Sequence, residues 1–169
     1  MANVKAYLGV TLGVAALLAL PACSKQAEDD AAPAAATAEA NAAAPAGAAT
    51  APAADNTETL DGSKFASFTG DAAAGETVFL NCKTCHASEA GRNMVGPSMH
   101  GLQGRISGTI PGYTYSVANK NSSIVWSNEK LFQYLEAPQR VIPGTKMTYT
   151  GVKDPQQRAN LIAYLDTLK

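Results

Sequence analysis

Apolar side chains recur at helical spacing in a few separated stretches of this chain. Near the C-terminus Leu161, Ile162, Leu165 and Leu168, with Tyr164 beside them, mark one face of a helix. Its start is explicit, because Asp154 supplies an N-cap carboxylate and Pro155 a first-turn proline. Asp71 offers a second N-cap, for a helix over 72–83 with Val78 and Phe79 on its apolar face. A shorter helix is predicted over Asn128 to Glu136, capped by Ser127 or Asn128. It ends before Pro138, since the residue preceding a proline is pushed out of the helical region. Between these elements, residues 91–121 are rich in Gly, Pro, Ser and Asn and show little periodicity. Such a stretch is unusual inside a compact domain unless its loops wrap a large apolar group. The pattern predicts an all-α domain over 64–169, a few helices and long loops around one cofactor.

A different apolar pattern opens the chain. Lys5 precedes the unbroken run Ala6 to Leu20, which is short for a spanning helix of about 20 residues. The run ends in Leu20-Pro21-Ala22-Cys23, which resembles a bacterial lipoprotein box. Residues 1–23 therefore read as an export signal or lipoprotein-type anchor. Three fates stay open: lipidation at Cys23, cleavage to a soluble form, or retention as an uncleaved anchor. All three put the rest of the chain outside the cytoplasm. The expected location is the periplasmic side of a bacterial membrane, with the N-terminus as tether.

Residues 24–63 are Ala-rich, interrupted by Pro33, Pro45 and Pro52, and contain no aromatic side chains. Helices between such prolines are too short to persist in water, so the segment reads as a disordered linker. The formal net charge of −1 hides an asymmetry. Between Cys23 and Asp61 there are seven acids against Lys25 alone, whereas from Gly62 onward eleven Lys or Arg face seven Asp or Glu. An acidic linker thus carries a mildly basic domain, for which no nucleic-acid partner is expected and a monomeric state is.

The chemistry concentrates at Cys82-Lys83-Thr84-Cys85-His86, the C-x-x-C-H signature of covalent haem attachment. Two thiols a helical turn apart reach the two vinyl groups on one porphyrin edge, and the adjacent histidine turns under the ring to ligate iron. A thioredoxin-like motif would need a preceding strand, a zinc site would need four ligands, and a chance or structural cysteine pair remains the bland alternative. A sixth iron ligand is available from Met94, Met99, His100 or Met147. Met147 stands out because it lies in the turn-rich loop Val141 to Met147, with no helical face to pack; His100 reads as a structural histidine.

Beyond this motif the domain resembles the class I c-type cytochromes, close to the mitochondrial type and similar bacterial proteins. The resemblance rests on Gly75, Phe79, residues 82–86, 96–102, 104–105, 111–115 and 118–121, Trp126, Tyr134-Leu135, residues 142–147 and Arg158 to Leu165. It implies the class I cytochrome c fold around one covalent haem c. It further implies Cys82 and Cys85 as attachment points, and His86 and Met147 as iron ligands. Pro97 would accept a hydrogen bond from His86. Arg105, Tyr115, Asn119, Trp126 and Thr145 would surround the propionates, and Tyr134 would lie near the Met147 sulfur. Gly75 would let the first helix approach the last, and Lys146 would be an alternative ligand at alkaline pH.

The implied function is single-electron transport rather than catalysis, between a quinol-oxidising cytochrome bc1-type donor and a cytochrome c oxidase-type acceptor. A fixed haem subunit of a larger enzyme, or a haem gas sensor or peroxidase, are the alternatives. Gln139-Arg140 stands where the family is typically more lysine-rich, and Tyr149 where it usually has phenylalanine, so docking should be less dominated by charge.

Overall fold

The structure, a computed structural model, describes residues 50–169. The expected signal or anchor at 1–23, and the linker up to residue 49, lie outside the described residues. Five α-helices occur among the described residues: α1 (Ala72–Phe79), α2 (Val117–Asn121), α3 (Asn128–Glu136), α4 (Pro138–Val141) and α5 (Pro155–Leu165). A 3₁₀ turn at Phe65–Ser67 precedes them. The architecture is all-α; the only extended pairing among these residues is a single antiparallel bridge between Ile106 and Val125. None of the helices described is long and apolar enough to cross a membrane.

The caps read from the sequence are in place. The Asp71 carboxylate accepts from Ala73 N (2.8 Å) and Ala74 N (3.1 Å), Ser127 caps α3 through Lys130 N, and Asp154 caps α5 through Gln157 N. Two short helices, α2 and α4, were not foreseen. α4 begins at Pro138, the residue that ends α3, because proline suits a first helical position as well as it blocks an interior one. The helix expected over 72–83 stops at Phe79. Beyond it the chain tightens into successive turns, with Cys82 N bonded to Phe79 O (2.8 Å) and Cys85 N to Cys82 O (3.0 Å).

α1 lies against α5 at the closest approach glycine permits. A Cβ at Gly75 would overlap the carbonyl oxygen of Asn160, and one at Gly70 would sit 2.5 Å from Ala159 O. Phe79 then meets Tyr164 with ring centroids 5.1 Å apart. Leu161, Ile162 and Leu165 of α5 join Leu131, Phe132 and Leu135 of α3 in the core.

The linker expectation needs correction at its C-terminal end. Residues 53–63 run along the outer face of α3 and are bonded to it and to α5. Lys130 Nζ donates to the carbonyls of Ala53 (3.1 Å) and Asn56 (2.7 Å), and Arg158 pairs with Asp61 at 2.7 Å. Composition pointed to a solvated tether here. The decisive partners lie 74–97 residues away in sequence, where local reading does not reach.

Candidate functional site

The turn after α1, the loop at 93–102, α3 and the loop after α4 enclose one open-sided cavity of about 290 Å³. Cys82, Cys85 and His86 enter it from the turn after α1. Cys82 and Cys85 are not joined in a disulfide, so both sulfurs are available for attachment.

His86 is held in one orientation. Its Nδ1 lies 2.7 Å from the carbonyl oxygen of Pro97. That carbonyl can only accept, so Nδ1 carries the proton and Nε2 keeps its lone pair. Burial, with Arg105 adding to it, lowers the imidazole below its ordinary pKa even against the Pro97 hydrogen bond. A neutral ring with a free Nε2 is the form that binds a metal. Gly96 makes room for it: a Cβ there would collide with His86 Cε1 and lie 2.6 Å from Nδ1. The next loop is fixed as firmly, with Met99 N bonded to Ala87 O (2.9 Å) and Ser98 N to Asn93 Oδ1 (3.1 Å).

Met147 reaches the same cavity from the loop after α4. The Tyr134 hydroxyl on α3 lies 3.4 Å from its sulfur and 3.5 Å from Thr145 Oγ1, which accepts from Met147 N at 3.3 Å. Burial pushes the Tyr134 phenol up to about 12, so the hydroxyl keeps its proton. Lys146 is turned aside, its Nζ donating to Thr114 O at 2.7 Å.

Arg105 and Trp126 are brought together by backbone pairing around the single bridge. Trp126 N donates to Arg105 O (3.0 Å) and Gly104 N to Trp126 O (2.8 Å). The Arg105 guanidinium donates to the carbonyls of His100 (3.0 Å) and Ser98 (3.2 Å) and has no carboxylate partner among the described residues. Asn119 turns its amide towards Ser107 and accepts from Ser116 Oγ (2.9 Å).

All of the site residues expected from the sequence, Cys82, Cys85, His86, Pro97, Arg105, Tyr115, Asn119, Trp126, Tyr134, Thr145 and Met147, line this one cavity. Of the other candidate ligands, Met99 lines it, whereas Met94 and His100 do not. Sequence reasoning gave no site role to Tyr113, Ser107 and Tyr149, which also line it. Tyr113 is held by a bond from its hydroxyl to Val95 O (2.8 Å), and no local signal marked it.

The wall chemistry defines the class of ligand. Most of the lining is apolar, and two cations, Arg105 and Lys146, but no Asp or Glu, border the cavity. A large flat apolar group bearing anionic substituents fits, since a half-buried guanidinium without a counter-ion favours a carboxylate. A protein-only metal site does not: no three His, Cys, Asp or Glu side chains cluster to hold a metal among the described residues. Fold and cavity together define an all-α haem protein with paired thiols and an imidazole at one wall.

Comparison with known proteins makes the assignment specific. The cytochrome c family model matches residues 72–169. A cytochrome c2 of Rhodopila globiformis is 54% identical over 101 residues, covering 59% of this chain and 95% of that protein. A cytochrome c of Euglena viridis is 48% identical over 101 residues, covering 59% of this chain and 99% of that protein. A cytochrome c2 of Blastochloris viridis is 53% identical over 96 residues, 56% of this chain and 76% of its own length. The chain belongs to the cytochrome c family. It is accordingly an electron-transfer protein rather than an enzyme, with covalently bound haem c and its iron as cofactor and redox proteins as partners.

Proposed function

We propose that this domain carries single electrons on one haem bonded to Cys82 and Cys85, with His86 and Met147 as the axial ligands of its iron. The observation that carries this reading is the convergence on one cavity of a tautomer-fixed His86 and a methionine sulfur restrained by Tyr134. The bound iron supplies the one-electron change between ferric and ferrous states. The protein keeps the ligands in place through that change: Pro97 fixes the ring of His86, and Tyr134 with Thr145 holds the thioether. Met99 is the weaker candidate, since its amide is tied to Ala87, next to His86 itself. Arg105, with Tyr115, Asn119, Trp126 and Thr145, would receive the propionates.

With His86 and Met147 both holding the iron, small ligands would have no easy access, and reversible electron transfer would be the simplest use of the site. The proposed circuit runs from a quinol-oxidising bc1-type complex to a cytochrome c oxidase-type acceptor, on the periplasmic side of a bacterial membrane. The apolar run before Cys23 supports a tether at the N-terminus, which would raise the effective concentration of membrane-bound partners.

The test is the optical spectrum of the haem-loaded protein. The weak long-wavelength ferric band of methionine bound to haem iron should be present and should vanish in Met147→Ala. Covalent haem without that band, together with rapid carbon monoxide binding by the native ferrous form, would move the function towards sensing or peroxidase chemistry.

A further inference from the structure

Lys130, Gln133 and Glu136 stand three residues apart along α3 and form a polar stripe that would ordinarily face water. Here they are among the most buried polar side chains, at 2%, 0% and 3% exposure. What covers them is residues 53–63, a strap that precedes the region matched by the family model.

Each side chain of the stripe is bonded to the strap. Lys130 Nζ donates to Ala53 O and Asn56 O. Gln133 Nε2 donates to Asn56 Oδ1 and Glu58 O, both at 2.8 Å. The Glu136 carboxylate accepts from Leu60 N (2.6 Å) and Asp61 N (3.0 Å). Beyond the stripe, Arg140 Nη1 on α4 donates to Glu58 O at 3.1 Å. Further back, Ala51 and Pro52 border a small cavity with Val141, Ile142 and Pro143.

The last of these attachments, at Glu136, Arg140 and residues 141–143, fall on the stretch that runs straight into the Met147 loop. The link onward is Gln139, next to Arg140. Its Nε2 donates to two loop carbonyls, Thr145 O and Met147 O, each at 3.0 Å. The loop has no helix or strand hydrogen bonds of its own, so its position depends on such side-chain ties.

We propose that the strap, acting through Arg140 and Gln139, is a positioning element for the Met147 loop. This rests on the reading of Met147 as an iron ligand. The strap immobilises the end of α3 and α4, and Gln139 passes that constraint to the two carbonyls flanking Lys146. The ties of Asn56 and Glu58 to α3 and α4 are hydrogen bonds, so they can be released while Asp61 stays paired with Arg158 and the α1–α5 core stays folded.

The experiment uses the full haem-loaded chain and compares wild type, the strap-release variant Asn56→Ala/Arg140→Leu, which removes the ties to Gln133 and Glu58, and Gln139→Leu. Two readouts are taken: amide hydrogen exchange at Thr145 to Tyr149 against exchange in α1 and α5, and the denaturant midpoint for losing the methionine–iron band against that for losing helical circular dichroism. Loss of each tie should accelerate loop exchange roughly fivefold, with α1 and α5 unchanged, and should separate the two midpoints. Unchanged loop exchange in both variants would overturn the proposal. So would an equal rise in α1 and α5, which would mean a general loss of stability. If wild type lacks the methionine band altogether, the ligand reading fails, while loop exchange still decides the role of the strap.

Discussion

The hydroxyl of Tyr134 sits 3.4 Å from the sulfur of Met147, so an α3 side chain restrains a loop thirteen residues further on. The contact closes a small circuit, with Met147 N on Thr145 Oγ1 and Thr145 Oγ1 against the Tyr134 oxygen. Tyr134 also packs on Trp126, ring centroids 4.9 Å apart, which fixes the phenol independently of the loop.

Tyr134→Phe should therefore fold normally and keep its packing on Trp126. It removes the donor to sulfur and the partner of Thr145, at a cost of about 1 kcal/mol. The long-wavelength ferric band should persist at room temperature and be lost on heating before it is lost in wild type. Identical thermal loss in both proteins would show that the hydroxyl does not restrain the methionine.

Gly75→Ala tests the helix contact. The new Cβ would overlap Asn160 O and lie 2.9 Å from Tyr164 Cβ, so backbone as well as side chain must move. Overpacking of this kind costs about 1–3 kcal/mol. Denaturant unfolding of the haem-loaded protein should show this loss, while the optical spectrum of the native state stays unchanged. A stability equal to wild type would mean that α1 and α5 separate freely.

Arg105→Gln should lower the reduction potential by on the order of 50 mV, the value of a roughly tenfold change in a one-electron equilibrium. A positive charge near the iron disfavours its more positive, ferric state, and the half-buried guanidinium would also offset the propionate charge beside it. Arg105→Lys keeps the charge and should keep most of the potential. Redox titration of the three proteins separates charge from geometry.

Asp61 makes the strap sensitive to acid. Burial opposes its ionisation, but hydrogen bonds from Ser63 and Arg158 together outweigh burial and hold the carboxyl well below the usual carboxylate range. The other charged groups facing this region are Glu136 of α3 and Lys153, which donates to Glu136 O. A carboxyl lowered on folding contributes stability that is fully present above its ordinary value of 3.8 and is lost as pH falls below it. Unfolding free energy should thus decline from pH 5 towards pH 3 in wild type, and less steeply in Asp61→Asn. Parallel slopes would show that Asp61 is not the group responsible.

Much of the architecture was legible because its signals are local. Asp71, Ser127 and Asp154 cap helices whose hydrogen bonds lie within three residues, and the spacing in Cys82 to His86 is itself the attachment chemistry. α1 came out shorter than expected, as tightening after Phe79 reflects the approach to the cavity rather than any helix breaker in residues 80–83. α4 was hidden because Pro138 signals an end and a beginning equally.

By itself the sequence determined the class of fold, the motif that takes the haem, and the segments from which the site is drawn, all matters of short-range spacing and capping. Only the tertiary structure decided that Met147 and Met99 line the cavity while Met94 and His100 do not. It alone turned the last part of an apparent linker into a strap over Lys130, Gln133 and Glu136. The physical reason is the same in both cases. A methionine or a polar stripe has the same local pattern whether solvated or buried, and its surroundings are set by chain segments tens of residues away.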